Sequence, residues 1–364
     1  MSSEHTIFDR ALLRHRRQRA AADAARHDFL LQRVADDFAE RLSIVRREFP
    51  VAANIGSHHG VLTERMLSLP SIGSMIETDT ATELGHAHDG QRVVQLPSPI
   101  DAKHRSAMTR GGAGGGMNPQ DRSPEFTPTP NPSPQGGGEF LDHRQTGASQ
   151  PRTRIIADEE ALPFAPASLD LVVSGLVLHH VNDLPGTLVQ IRRALKPDGL
   201  FLAALLGGET LKELREAWLI AEDEIMGGAS PRVAPFADVR DLGGLLQRAG
   251  FALPVADTDV VRVTYASPLD LMREIKAMGA SNVLTARRRV PVTRKLLFRA
   301  AEVYAERFAL ADGRIPATFE IITLTAWVPH ESQQKPLRPG SAKSRLAEAL
   351  GVKEQGTGEK PGRE

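Results

Sequence analysis

The run from Leu169 to Leu206, "LDLVVSGLVLHHVNDLPGTLVQIRRALKPDGLFLAALL", constrains the fold more than any other part of the chain. Its opening "LDLVVSG" is apolar and β-branched without alternation, as a strand buried on both faces requires. In the helical stretch that follows, Leu184, Leu188, Ile191 and Leu195 fall on one face. A Pro-Asp-Gly turn then returns the chain to the apolar run "LFLAALL". Strand, crossover helix and strand make a parallel unit, because parallel neighbours cannot be joined by a tight hairpin.

The same alternation extends in both directions. "VAANI" reads as a strand before the helix "GVLTERMLSL", "SIGSMIETD" as a second strand and "TRIIA" as a third. Helices are expected over 210–225, 238–249 and 268–278, with late strands at "TDVVRVTY" and "FEIITLTAWV". The expected fold is α/β, an open and mainly parallel sheet with helices on both faces. Residues 1–45 read as a helical segment with a solvated amphipathic face, and 46–330 as the sheet domain. The stretch 97–151 is rich in Gly, Pro and Ser and nearly devoid of aliphatic residues, so a disordered insertion is expected there. The insertion costs the domain little, since closure entropy grows only with the logarithm of loop length. Residues 331–364 read as a polar tail.

Composition excludes several function classes. Lys+Arg 45 balances Asp+Glu 45, so no net field points to nucleic acid or acidic lipid. With no cysteine there is no disulfide, thiol nucleophile or cysteine-held metal. No apolar run reaches the roughly 18 residues of a membrane span, and the N-terminus lacks a secretory h-region.

Ligands of open parallel sheets bind at the carboxyl ends of the strands near the switch point. The first strand ends in "NIGSHHG", Asn54 to Gly60, where Gly56, Ser57 and Gly60 allow backbone to approach a ligand. The second ends in Glu77-Thr78-Asp79, and Asp79 is placed to accept from ribose hydroxyls. The third ends in Asp158-Glu159, able to accept from an adenine amino group, and the fourth in Ser174-Gly175. Together these form a nucleoside site; singly, each acid is equally a helix cap.

The order of glycine loop, acid, "ADEEALPF", "LDLVVSGLVLHHVNDLP" and "LKPDGLFLAAL" resembles the class I S-adenosylmethionine-dependent methyltransferase fold, a Rossmann-like sheet with a late antiparallel strand. Further segments narrow the resemblance: "IFDR", "LHHVNDLPG", "GGETLKELR", "SPRVAPF", "DLGGLLQRAGF", "AMGASN" and "PATFEI…W…HESQ". These are similar to the complex I assembly factor 5 family. The resemblance implies S-adenosylmethionine as cofactor. It implies hydroxylation of an arginine on the iron–sulfur subunit of respiratory complex I, or its assembly intermediate, near the quinone site. A cytoplasmic location is expected, with peripheral contact at the inner face of the energy-transducing membrane left open. The family's glycine loop falls on Asn54–Gly60, with Asn54 in place of the usual acid and His58 in place of the middle glycine. Asp79 matches the ribose acid, and Asp158 and Glu159 the adenine-side pair.

Two alternatives stay open: a methyltransferase acting on a small molecule or carrier protein, of malonyl-carrier type, and a non-enzymatic assembly chaperone. His58, His59, His179 and His180 follow central strand ends. With Asp183 or Glu209 they would make a two-His, one-carboxylate iron site, but the spacing of such a triad is absent, so packing and hydrogen bonding are expected and no metal is assigned. His179 is the best-placed general base. Glu209, Glu213 and Glu216 would form an acidic helix face suited to an arginine-bearing partner. The run "ARRRVPVTRK" is basic, and His86 and His88 border the insertion.

Overall fold

The computed structural model describes residues 6–80, 92–95 and 151–334. His86, His88, nearly all of the insertion and most of the tail lie outside the described residues. The chain runs α1 (Arg10–Ala20), α2 (Phe29–Ser43), β1 (Phe49–Ile55), α3 (Val61–Leu67), β2 (Ile72–Asp79), β3 (Arg92–Gln95) and β4 (Arg152–Ile156). It continues through β5 (Leu169–Gly175), α4 (Leu184–Ala194), β6 (Leu195–Leu206), α5 (Lys212–Met226) and α6 (Val239–Arg248). It closes with β7 (Ala252–Tyr265), α7 (Pro268–Ala277), α8 (Arg294–Phe308) and β8 (Ile315–Trp327).

The sheet order is β3-β4-β2-β1-β5-β6-β8-β7. All neighbours pair in parallel except at β8, which is antiparallel to both β6 and β7. The expected α/β sheet with a late antiparallel strand is therefore present. The strand order reverses between β1 and β5, which puts the crevice above their carboxyl ends.

Side-chain alternation splits the interior between the two faces. Ala52, Leu171 and Val173 point to one core, with Phe38 of α2, Met66 of α3 and Tyr304 of α8. Ala53, Ile55 and Val172 point to the other, with Leu188 and Ile191 of α4 and Leu242 and Leu246 of α6. Each fully buried side chain of this size contributes about 1.5–3 kcal/mol. Helix α4 starts where Asp183 accepts from the Gly186 N–H at 2.8 Å, with Pro185 in its first turn.

Some expectations need correction. The N-terminal segment is not a solvated helix: Phe38 is 0% exposed and Leu13 2%. The aliphatic stripe of α2 lies against the sheet and α3, and the inward face of α1 carries arginines that the sheet neutralises. Strand β7 begins ahead of "TDVVRVTY", because it is an edge strand that tolerates Pro254 with a register shift between Ala252 and Val255. The short β3 and the helix α8 were not anticipated. The proposed acidic face is broken up as well. Glu213 turns inward to accept from the Thr318 hydroxyl at 2.5 Å, Glu216 pairs with Arg307 and Glu209 with Lys212.

Candidate functional site

The loop after β1 is built around three left-handed residues, Gly56 at φ 72°, His58 at 50° and Gly60 at 95°. A Cβ on Gly56 would overlap the Val177 side chain, and one on Gly60 the Arg152 guanidinium. His58 adopts a conformation that costs a non-glycine residue roughly 1–3 kcal/mol. Two hydrogen bonds offset that cost. Its backbone N–H donates to Asp79 Oδ2 at 3.0 Å, and its ring Nε2 lies 3.0 Å from the Gly175 carbonyl. A carbonyl only accepts, so Nε2 carries the proton and Nδ1 is left an acceptor. The imidazole thus ties the β1 loop to the end of β5.

Asn54 is wholly buried. Its Nδ2 donates to Thr63 Oγ1 at 3.0 Å, and the Thr63 hydroxyl donates to Glu77 Oε1 at 2.7 Å. Glu77 in turn takes both Arg152 bonds, at 2.7 and 2.8 Å. An acid at position 54 would set a second carboxylate close to Glu77, so the amide is the neutral choice for this network. Ser174 is also buried, its hydroxyl donating to the Ile55 carbonyl at 2.8 Å between β1 and β5.

Asp158 and Glu159, at the end of β4, face α1. Arg10 binds both, with 2.8 Å to Asp158 Oδ1, and Arg17 reaches Glu159 at 3.4 Å. Burial disfavours the charged form of Glu159, but Arg10 and Arg17 outweigh it and hold the carboxyl below its ordinary range. Asp28, at the start of α2, accepts from His59 at 2.8 Å and from Gln32 at 2.6 Å. The segment ahead of β1 therefore roofs the crevice through charged pairs.

His179 and His180 lie beneath that roof with ring centroids 4.2 Å apart. His179 Nδ1 accepts from the Leu206 N–H at 3.3 Å, which leaves its Nε2 as the donor, and its ring meets Phe236 edge-on at 5.4 Å. His180 packs against Phe8, and its Nδ1 has no hydrogen-bond partner among the described residues. Burial, then the nearby Arg17, lowers the pKa of His58 and of His179 to about 3; burial, then His179, lowers that of His180 well below the usual value. All three rings are neutral at physiological pH. Among the described residues, no three His, Asp or Glu side chains converge as a metal ion requires.

A cavity of about 110 Å³ lies among Leu13, Arg17, Leu31, His58, His179 and Leu206. It is smaller than the roughly 300 Å³ at the low end of sites for whole cofactors. The loop end nevertheless fits a polar ligand: Ser57 Oγ, Thr78 Oγ1 and Asn54 Oδ1 are buried there without partners among the described residues. Sequence reasoning missed Arg10, Arg17 and Asp28. A signal existed, since Arg10, Leu13 and Arg17 share one face of α1, but a buried arginine is recognisable only when its carboxylates are placed.

A methyltransferase-domain family matches residues 139–203. The mitochondrial arginine-hydroxylase NDUFAF5 of Mus musculus is 36% identical over 338 residues, 92% of this chain and 81% of that protein. The chain belongs to the arginine-hydroxylase NDUFAF5 family. The match to NDUFAF5 spans nearly twice as much of the chain as the match to a malonyl-[acyl-carrier protein] O-methyltransferase. That enzyme, from Halorhodospira halophila, is 39% identical over 173 residues, 48% of this chain and 57% of the enzyme. Among solved structures, the YcgJ protein of Bacillus subtilis aligns with a TM-score of 0.45 at 12% identity, covering 82% of this chain and 99% of that one.

Proposed function

We propose that this chain hydroxylates an arginine of the iron–sulfur subunit of respiratory complex I, near the quinone site, during assembly, with S-adenosylmethionine as its cofactor. The observation that carries the reading is the near full-length match to proteins named arginine-hydroxylase. Residues Gly56 to Gly60 and Asp79 would hold the cofactor, with Ser57 Oγ and Thr78 Oγ1 as unused hydrogen-bonding groups beside them. When bound, that cofactor supplies a sulfonium with an activated methyl group. The chain's own contribution is a dry crevice whose imidazoles stay neutral, so His179 offers a fixed Nε2 donor rather than a cation. With Nδ1 already accepting, His179 would serve as a hydrogen-bond donor to a ligand and not as the general base expected from its position. Among the described residues no helix is long and apolar enough to cross a membrane, so contact with a membrane-bound partner would be peripheral.

The test is mass spectrometry of that iron–sulfur subunit from cells with and without the gene. An oxygen on the arginine that disappears on deletion is expected. An added methylene that disappears instead would transfer the reading to arginine methylation. No change would refute hydroxylation and leave the carrier-methyltransferase and chaperone readings.

A further inference from the structure

Helix α1, "RALLRHRRQRA", carries no acid, and its basic residues point two ways. Inward, Arg10 and Arg17 meet Asp158 and Glu159. Outward, Arg16 and Arg19 meet further cations, Arg273 and Lys276 of α7. The two helices close together at Gly279, where a Cβ would come within 3.3 Å of the Arg17 Cα. Between them lies a groove of about 370 Å³ lined by Arg16, Arg19, Asp23, Arg273, Lys276 and Ser281. Four cations thus face one carboxylate, in a chain whose charges balance overall. Among the described residues, Arg16, Arg19 and Lys276 form no ion pair. Arg16 donates to the Asn282 carbonyl, and Arg19 lies 3.0 Å from the His15 ring. Arg273 pairs with Asp270 of its own helix, Asp23 is shared with Arg26 at 3.5 Å, and Glu274 is taken by His27 at 3.0 Å. Burial, then Arg287 and Arg19, holds Arg16 below the ordinary range of an arginine. The carboxyl ends of the helices attract Arg19 and Lys276, but they do not relieve repulsion between cations of different helices. Elsewhere, surface arginines that meet another element find a carboxylate there: Arg33 has Asp259, Arg65 has Asp36 and Arg299 has Glu224.

We infer that the groove between α1 and α7 docks an acidic segment of a protein partner, with Arg16, Arg19 and Lys276 recognising its carboxylates. Charge complementarity selects the sign of the occupant, because an anion turns the repulsion among these groups into attraction. Shape selects its kind. The cations line the walls of a recess, so a flat bilayer cannot reach all of them, whereas an extended chain, at roughly 3.3 Å per residue, can lie along it. The volume is within the roughly 300–1,000 Å³ of clefts that enclose most of a ligand. The Ser281 hydroxyl adds a donor for a carboxylate or a peptide carbonyl. Ala20 lines both this groove and the crevice cavity, so a segment docked here lies at the rim of the site. The inference does not rest on the reaction assigned to the crevice.

The experiment is fluorescence anisotropy of dye-labelled hexaglutamate titrated with the full chain. Wild type is compared with Arg19→Glu/Lys276→Glu, and with Arg289→Glu/Lys295→Glu as a control that reverses two exposed cations of the other basic run. Wild type is expected to bind, and raising the salt from about 50 to about 300 mM weakens the complex by screening. The groove variant weakens it about tenfold or more, because two ion pairs become repulsions. The control variant leaves it unchanged. Equal losses in both variants, or none in the groove variant, overturn the inference, as does a wild type that does not bind. Phosphatidylcholine–phosphatidylserine vesicles that bind through Arg19 and Lys276 while the peptide does not would assign the groove to lipid and also overturn it. Should the groove variant not fold, hexaglutamate bearing a benzophenone is photo-crosslinked to wild type. Crosslinks on α1 and α7 support the groove, and crosslinks confined to other elements overturn it.

Discussion

Lowering the pH from about 7.5 to about 5 will destabilise the fold through His58 and His179. Burial, reinforced by Arg17, holds both near pKa 3 in the folded protein, against an ordinary value of 6.5. Across this window the folded rings stay neutral while the unfolded chain takes up protons, so stability falls as pH drops below about 6.5 and is level above it. At pH 5 the unfolded state gains about 2 kcal/mol for each ring, or about 4 kcal/mol for the pair. Against a typical domain stability of about 5–15 kcal/mol this is a large loss. Glu159, whose pKa is depressed, contributes stability that is lost as pH falls below its unfolded value near 4.5, outside the window. The assay is urea unfolding followed by Trp218 and Trp327 fluorescence at both pH values, for wild type and His179→Gln. The variant should lose about 2 kcal/mol of the pH dependence. A wild type equally stable at both pH values, or a variant that keeps the full dependence, would refute the account of these rings as enforced neutral.

Arg10→Ala leaves Asp158 and Glu159 buried without their main cation and should cost about 3–5 kcal/mol, read as a fall in melting temperature; adding Asp158→Asn and Glu159→Gln should recover most of it. Asn54→Asp, which restores the acid usual at this place in related loops, should destabilise by about 1–3 kcal/mol because Thr63 cannot satisfy two carboxylates with one hydroxyl proton. A gain in stability from Asn54→Asp would show that the Thr63–Glu77 network is not what selects the amide.

Most of the sheet was legible in the chain. Strands β1, β2, β4 and β5 and helix α4 follow from local pattern, because a strand covered on both faces must be apolar throughout and a helix on one face must repeat its leucines. The glycine loop was legible as a strand end, and the switch point beside it as a ligand crevice. The basic residues of α1 were visible too, but not as groups of the site.

What the sequence determined by itself was the order of the central strands and helices and the strand ends that meet at the switch point: hydrophobic period and turn chemistry are local, and they need no partner to be read. What only the tertiary structure decided was how the charges are used. Whether Asp158 meets an adenine or Arg10, whether His58 strains a loop or staples it to Gly175, and whether Arg17 is solvated or left facing a cavity are long-range questions. Their answers depend on which groups share a low-dielectric space once water is gone, where an unpaired charge costs far more than it does on the surface.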